Sequence, residues 1–435
     1  MKDRIGAMSR ASSTRPRSPA CIAMALTVAI LAACTTQPAT APPPPSSRTD
    51  GGHSIEAAVD ADRQQRAFER WVATFHTSAS AAGINEATLN AAFSDVRYLP
   101  RVVELDRAQP EYTRVVWSYL DSAVSPQRIA LGQERWGQSR TEIDAAAARF
   151  GVAPAILVAI WGIESNYGSN FGSIPTIDAL ATLGFEGRRE AWARGQLLAA
   201  LRILQSGDID HSSMVGSWAG AMGQTQFLPS VFLDYAVDAD GDGRRDIWGS
   251  VADAMASTAN FLARSGWQTD QPWGVEVLLP PGFDVGRAAE RQSVAQWAAE
   301  DLQTRDGAPL PPFAMATVLL PAGARGPAFL VGPNFQVILR YNNSTSYALA
   351  VGLLAQRLAG GPGVYAAWPR DLVALSREQL KALQAALNQR GFDSGTPDGV
   401  IGPNTSGALR RYQGSVGLPA DGYPTLELLQ RLEAR

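Results

Sequence analysis

Trp161-Gly162-Ile163-Glu164-Ser165-Asn166-Tyr167-Gly168 is the stretch on which the reading of the whole chain turns. Just upstream, Phe150-Gly151-Val152-Ala153-Pro154 spells one helix stopping at a glycine and another starting at a proline. From Ala155 onward Ile156, Leu157, Ile160, Trp161 and Ile163 keep helical spacing, yet the run is apolar nearly all round, as in a buried helix. Glu164 arrives at the end of that run, four residues after Ile160 and three after Trp161, and so shares their face. A carboxyl group there is either paired or partly neutral, because desolvation disfavours its charged form. An acid that keeps its proton near neutral pH is what protonating a leaving group requires. The alternative is a helix-end glutamate that simply reaches water or an arginine.

Composition narrows the remaining chemistry. With 435 residues, 46% of them hydrophobic and 18% charged, the chain has room for two or three folded domains. Its two cysteines, Cys21 and Cys34, both lie near the N-terminus, so the body of the chain offers no thiolate metal site and no cysteine nucleophile. His53, His76 and His211 are too few and scattered for a histidine metal cage. Lys2, Arg4, Arg10, Arg15 and Arg17 fall within the first 33 residues against a single Asp3, so the remainder is more acidic than the overall charge of −3. That balance argues against nucleic acid as a partner.

Residues 1–33 read as an export signal: a basic, serine-rich lead, then an apolar run over 21–33 that is too short to span a bilayer as a mature helix. Leu31-Ala32-Ala33-Cys34 resembles a bacterial lipobox, in which the cysteine is lipidated and becomes the new N-terminus. An ordinary signal with an incidental cysteine is the other reading. Thr35, rather than Asp, follows the cysteine, which by resemblance to such lipoproteins points to the periplasmic side of the outer membrane. Residues 34–56, with four consecutive prolines from Pro42 to Pro45, read as an extended tether.

From 57 to 136 the pattern is helical, with Ser125-Pro126 a good helix start. Within it, Leu105-Asp106-Arg107-Ala108-Gln109-Pro110-Glu111-Tyr112 is an aromatic and charged patch that lines a groove or is plain surface. An amphipathic helix carrying Leu197, Leu201 and Leu204 stops at Gly207. Then comes Gly216-Ser217-Trp218-Ala219-Gly220-Ala221-Met222-Gly223-Gln224-Thr225-Gln226-Phe227. Its glycines imply backbone passing close to another element or to a ligand. Ser217 and Gln226 beside Trp218 and Phe227 suit a sugar, whose edge needs hydrogen bonds and whose ring needs an apolar surface. A tight helix crossing accounts for the glycines equally well.

Asp238-Ala239-Asp240-Gly241-Asp242-Gly243-Arg244-Arg245-Asp246 begins like an EF-hand calcium loop, with alternating carboxylates and a glycine at the turn. Its twelfth position is Gly249 in place of the usual bidentate glutamate, and Asp253 is placed to close a longer loop. The alternative is a solvated acidic turn offset by Arg244 and Arg245. Further on, the segments 275–279, 316–320 and 335–339 read as short strands between proline and glycine turns. Arg340-Tyr341-Asn342-Asn343-Ser344 then leads into a helix, either as the edge of a site or as an ordinary cap. Gly360-Gly361-Pro362-Gly363 opens a linker running to Arg370. The last sixty or so residues carry three leucine-lined helices around a turn-rich loop, Asp398-Gly399-Val400-Ile401-Gly402-Pro403-Asn404-Thr405.

Taken in this order, the Gly-Ile-Glu, the Gly-Ser-Trp-Ala-Gly-Ala-Met-Gly…Gln-Phe string, the acidic loop and the Arg-Tyr-Asn resemble the membrane-bound lytic murein transglycosylases of the B type. The resemblance covers about residues 60–365. The C-terminal signature, ending Ala-Leu-Arg-Arg-Tyr-Gln, resembles a common three-helix peptidoglycan-binding module. The implied fold is mainly α (α+β). It comprises a lysozyme-like catalytic core with a small β-containing subdomain over 57–368 and a three-helix peptidoglycan-binding domain over 374–435. The resemblance makes Glu164 the only catalytic carboxylate and assigns Ser217, Gln226, Tyr341 and Asn342 to holding the sugar. It also implies a calcium site from Asp238, Asp240, Asp242, the carbonyl of Arg244 and Asp253. The implied partners are peptidoglycan glycan strands, the wall through the C-terminal module, and the membrane through a lipid on Cys34. The implied reaction cleaves the β-1,4 bond between N-acetylmuramic acid and N-acetylglucosamine, leaving 1,6-anhydromuramic acid ends. Two rivals are a hydrolytic muramidase, which needs a second carboxylate (Asp178 and Glu186 are the nearest downstream), and a non-catalytic wall-binding lipoprotein.

Overall fold

The computed structural model describes residues 50–108 and 115–434. The expected signal, Cys34 and the end of the 105–112 patch lie outside the described residues. The first helix, Asp50–Ala81, begins inside the span that the composition predicts to be tether, so residues 50–56 are helical.

The architecture is helical around one buried rod. Pro154–Ser165 begins with proline in its first turn, directly after Gly151 has closed the Arg140–Phe150 helix in the left-handed conformation (φ 68°). Every residue from Ile156 to Gly162 is buried, which is why the run is apolar on all sides. Around this rod pack Thr345–Leu358, Arg140–Phe150, Pro126–Gln138 and Val251–Arg264. The end of the rod is shaped by one aromatic ring. Tyr167 lies under the helix, its hydroxyl donating to the Arg128 carbonyl at 2.8 Å. A Cβ on Gly162 would sit 2.5 Å from that ring, and one on Gly132 would collide with its hydroxyl. Glycine is therefore required at both places for close approach.

Beside the helices stands a four-stranded antiparallel sheet in the order Gln303–Thr304, Gly274–Leu278, Ala328–Val331, Thr317–Leu319. Its strand Ala328–Val331 is buried on both faces: Phe329 and Val331 enter the main core, while Ala328 and Leu330 enter a smaller one with Val277, Trp297, Phe313 and Val318. Two expected strands, at 275–279 and 316–320, are present as Gly274–Leu278 and Thr317–Leu319. The third is not. Residues 335–339 belong to the helix Pro333–Tyr341, which buries Asn334, Phe335 and Ile338 on one face. The alternating 335/337/339 pattern competes there with a 334/335/338 stripe behind a Gly332-Pro333 start, and the helix wins.

The C-terminal module packs Arg377–Gln389, Pro403–Ser415 and Leu426–Glu433 around Leu383, Leu387, Leu409 and Leu429. Its buried Gln384 organises the turn-rich loop, with Oε1 accepting the Gly399 N–H at 2.8 Å and Nε2 reaching Asp398, Val400 and Thr405. The segment leading to this module, expected as a linker, is strapped down. Glu276 accepts the backbone N–H groups of Tyr365 and Ala366 at 2.7 Å each, Trp368 packs on Trp117, and Arg370 pairs with Asp121 at 2.7 and 2.8 Å. Asp421 in the module also accepts the Ala324 N–H at 2.9 Å.

Two glycine substitutions test the account of the rod. Gly162→Ala forces Tyr167 to move and should cost about 1–3 kcal/mol by denaturant unfolding. Gly137→Ala, at an open helical position with nothing within 4 Å, should be neutral or stabilise by up to about 1 kcal/mol. Equal effects from the two would contradict the ring-contact account.

Candidate active site

Glu164 occupies the last turn of the Pro154–Ser165 helix, half-buried. Its Oε1 accepts the Tyr347 hydroxyl at 2.6 Å. Burial raises the carboxyl pKa to about 7, and the Tyr347 hydrogen bond pulls the other way without cancelling it. Neither an arginine nor a second carboxylate figures among these influences. The hydrogen-bond partner of this helix-end carboxyl group is thus a tyrosine rather than an arginine.

Three tyrosines gather around this acid. Tyr347 is buried on the Thr345–Leu358 helix, whose start is capped by Ser344. Tyr341 stacks parallel to it, with centroids 6.5 Å apart and planes 9° apart, and donates its hydroxyl to the Thr225 carbonyl at 2.6 Å. The third, Tyr119, has its phenol pushed up to about 12, first by burial and then by the charge of Glu164. Tyr341 was singled out by its motif. Tyr119 and Tyr347 were not, because in the sequence they are ordinary aromatic positions on amphipathic helices; only the fold brings residues 119, 164 and 347 together.

The glycine-rich string forms a folded loop. The Ser217 N–H donates to the Ala221 carbonyl at 2.8 Å, Met222 and Phe227 exchange backbone hydrogen bonds, and Val215–Gly216 pairs with Ile174–Pro175. At Gly216 the contact is backbone against backbone, since a Cβ there would strike the Ala221 carbonyl and one on Gly172, outside the string, would strike Gly216, whereas Gly220 sits against the Leu180 side chain. No helix crossing is involved. Ser217 Oγ accepts the Ala219 and Ala221 N–H groups at 3.3 and 3.1 Å. Gln226 is held in the left-handed region (φ 51°), a conformation that costs energy in any residue but glycine, and its Nε2 donates to the Phe171 carbonyl at 2.9 Å. Tyr341 fastens this loop to the Glu164 cluster through Thr225. Asn342 ends the Pro333–Tyr341 helix at an exposed position next to Tyr341, at a helix-to-helix junction where the sequence suggests strand-to-helix.

The other carboxylates are engaged elsewhere. Glu186 pairs with Arg107 at 3.1 Å and accepts the Tyr98 hydroxyl. Asp178 is buried, raised to about 6 by that burial, and hydrogen-bonded to the backbone of Arg97. Asp106, within the patch at 105–112, is a buried ion-pair centre: Arg188 reaches it at 2.5 Å and Arg189 at 2.6 Å.

In the acidic loop, one oxygen from each of Asp238, Asp240 and Asp253 lies within 4.8 Å of the others. Asp253 is fully buried and receives the Ala239 and Asp246 N–H groups at 2.7 Å each; burial raises its pKa to about 6, and the charge of Asp240 adds to the rise. Asp242 is exposed in the same loop and accepts the Arg244 N–H at 2.8 Å, outside that trio. Converging hard oxygen donors with mutually repelling charge are the donor set that calcium takes. The residues present fit that ion.

The profile of the Transglycosylase SLT domain family matches residues 67–356, and that of the peptidoglycan binding domain matches residues 376–432. The membrane-bound lytic murein transglycosylase B of Escherichia coli (strain K12) is 34% identical over 289 residues, spanning 64% of this chain and 79% of that protein. Crystalline SltB3 from Pseudomonas aeruginosa, in complex with NAG-anhNAM-pentapeptide, superposes with a TM-score of 0.82 at 53% identity, covering 84% of this chain and 99% of that one. Escherichia coli Slt35 in complex with calcium gives a TM-score of 0.58 at 32% identity, covering 68% and 93%. A half-buried acid closing an apolar helix, tied through tyrosines to a glycine-rich loop, thus sits inside a match spanning most of the chain, and this chain belongs to the SLT-domain transglycosylase family.

Proposed function

We propose that Glu164 is the single acid–base group of this peptidoglycan lytic transglycosylase. The observation that carries the proposal is a lone carboxyl group whose pKa burial lifts to about 7, with a tyrosine hydroxyl as its side-chain partner. Protonated Glu164 gives its proton to the oxygen linking N-acetylmuramic acid to N-acetylglucosamine, and the substrate's own acetamido group stabilises the cationic C1. Ionised Glu164 then takes the proton of the muramic C6 hydroxyl as that oxygen attacks C1, closing the 1,6-anhydro ring. One carboxyl group suffices because the second nucleophile is inside the substrate, unlike a glycosidase that uses two. The Tyr347 hydroxyl fixes the rotamer of Glu164 and stabilises its charged form between the two steps. Ser217, Gln226, Tyr341 and Asn342 hold the sugar, and holding C6 near C1 makes the internal attack outrun water. Residues 57–368 are the catalytic domain and 374–435 the wall-binding domain.

In the same reading, calcium is held by Asp238, Asp240 and Asp253, with Asp242 and the carbonyl of Arg244 completing the loop; the Slt35 complex with calcium supports it. The ion supplies charge compensation for a buried acidic cluster. Cys34 is the lipid-bearing residue of an outer-membrane lipoprotein facing the periplasm, the signal having been removed before it.

Glu164→Gln keeps the shape and the Tyr347 contact but has no proton to give, so turnover of purified wall should fall below about 1% of wild type. The wild-type rate should decline as pH rises through about 7, where Glu164 loses its proton. The folded pKa lies above the ordinary 4.5, so the protonated group contributes stability fully below about 4.5, and this contribution is lost as pH rises to about 7. Glu164→Gln should therefore raise the melting temperature relative to wild type at pH 8 and not at pH 4.5. Substantial turnover by the variant, or no such pH-dependent gain, would overturn the assignment. Calcium should raise the melting temperature of the wild type, and chelator should reverse it, whereas Asp240→Ala should not respond; identical responses would remove the ion from the account. Cys34→Ser should move the full-length protein from the membrane to the periplasmic fraction, and unchanged membrane retention would refute lipid anchoring.

A further inference from the structure

One buried side chain outside the groups assigned to the substrate ties the catalytic helix to two other parts of the molecule. Gln224 is buried in the glycine-rich loop. Its Oε1 accepts the Trp161 indole N–H at 2.8 Å, its Nε2 donates to the Trp248 carbonyl at 3.0 Å, and its backbone N–H donates to the Ile247 carbonyl at 2.8 Å. Trp161 precedes Glu164 by three residues on the same helix face. Behind Glu164 the chain turns through Gly168 (φ +78°), where a Cβ would strike the Gln224 Oε1. The Gln224 side chain thus touches the chain on both sides of the acid.

Its other end is held equally firmly. The Trp248 N–H donates to Asp246 at 2.9 Å, the Asp246 N–H donates to Asp253 at 2.7 Å, and the Trp248 indole donates to the Val215 carbonyl at 2.9 Å. The neighbouring Thr225 accepts from Tyr341, and Gln226 follows in its left-handed conformation. A neutral amide is the side chain that meets this demand, since one end must accept and the other must donate in a site with little water.

We propose that Gln224 is a positioning residue for Glu164: through Trp161 and the Gly168 turn it sets where the acid stands relative to the loop that carries Gln226. The proposal rests on the reading of Glu164 as the acid. It acts on the rate of the chemical step, because displacing an acid by a fraction of an ångström from the leaving oxygen weakens proton transfer while leaving most sugar contacts in place.

The test is a double-mutant cycle on soluble glycan strands with Gln224→Met, Trp161→Phe and both together, and Glu164→Gln as control. Methionine keeps roughly the volume of Gln224 and loses both hydrogen bonds; phenylalanine keeps an aromatic, though smaller, side chain at 161 and loses the indole N–H. The expected result is a fall in kcat of about tenfold or more in each single variant with KM within about threefold, and a double variant no worse than the poorer single, because both remove the same bond. The proposal is overturned if both folded single variants keep kcat within about threefold of wild type, or if their losses multiply in the double variant. Should Gln224→Met fail to fold, Trp161→Phe decides alone by the same kcat and KM criteria. Turnover by Glu164→Gln would instead remove the reading on which the proposal stands, and is told apart by arising in that variant only.

Discussion

A carboxyl group placed at the end of an apolar helix, where water cannot fully reach it, is the constraint to which the rest of the site answers. Burial lifts the Glu164 carboxyl, and the one hydroxyl that opposes the rise, from Tyr347, leaves it at about 7. An arginine in the same place would have restored the charge and removed the acid. The arrangement costs stability at neutral pH, a sacrifice often found where a site must hold a group in a state that folding alone would not favour. It also requires a helix end that does not drift. Tyr167 wedged against Gly132 and Gly162, the Arg128 guanidinium donating to the Gly162 carbonyl, and Gln224 holding Trp161 all act on that one turn.

The glycine-rich loop and the acidic loop fit together as supports of this turn. The first is folded by its own backbone and reaches the acid through Tyr341 and Thr225. The second reaches it through Ile247, Trp248 and Gln224. Arg245 further ties the acidic loop to the end of the Glu190–Ser206 helix, pairing with the buried Asp208 at 2.7 Å. The segment leading to the C-terminal module is strapped to the same framework through Glu276 and Arg370, and Asp421 of the module itself accepts the Ala324 N–H.

Much of this was legible in the residues. An unbroken apolar helix ending in a glutamate, a glycine and a proline bracketing its start, and leucines at helical spacing in the last sixty residues are strong local signals, and the helices stand where those signals put them. Residues 335–339 misled because five residues support both periods, and the deciding contact, Asn334 accepting the Gln268 N–H and donating to the Gln268 and Gln271 carbonyls, comes from a distant segment. Tyr119 and Tyr347 were invisible for a similar reason: their role depends on which helix faces are adjacent, and nothing local distinguishes them from core aromatics. The segment after Gly360 has linker composition, yet partners as far off as Asp121 and Glu276 hold it in place.

The claim on which the account stands is that the Glu164 carboxyl group keeps its proton to near neutrality. The direct measurement is carbon-13 NMR of protein labelled at the glutamate side-chain carboxyl, titrated from acid to alkaline pH, with Glu164→Gln identifying the resonance by its loss. The account predicts one glutamate resonance that titrates near 7 and is absent from the variant. A spectrum in which the Glu164 resonance titrates with the others would contradict it.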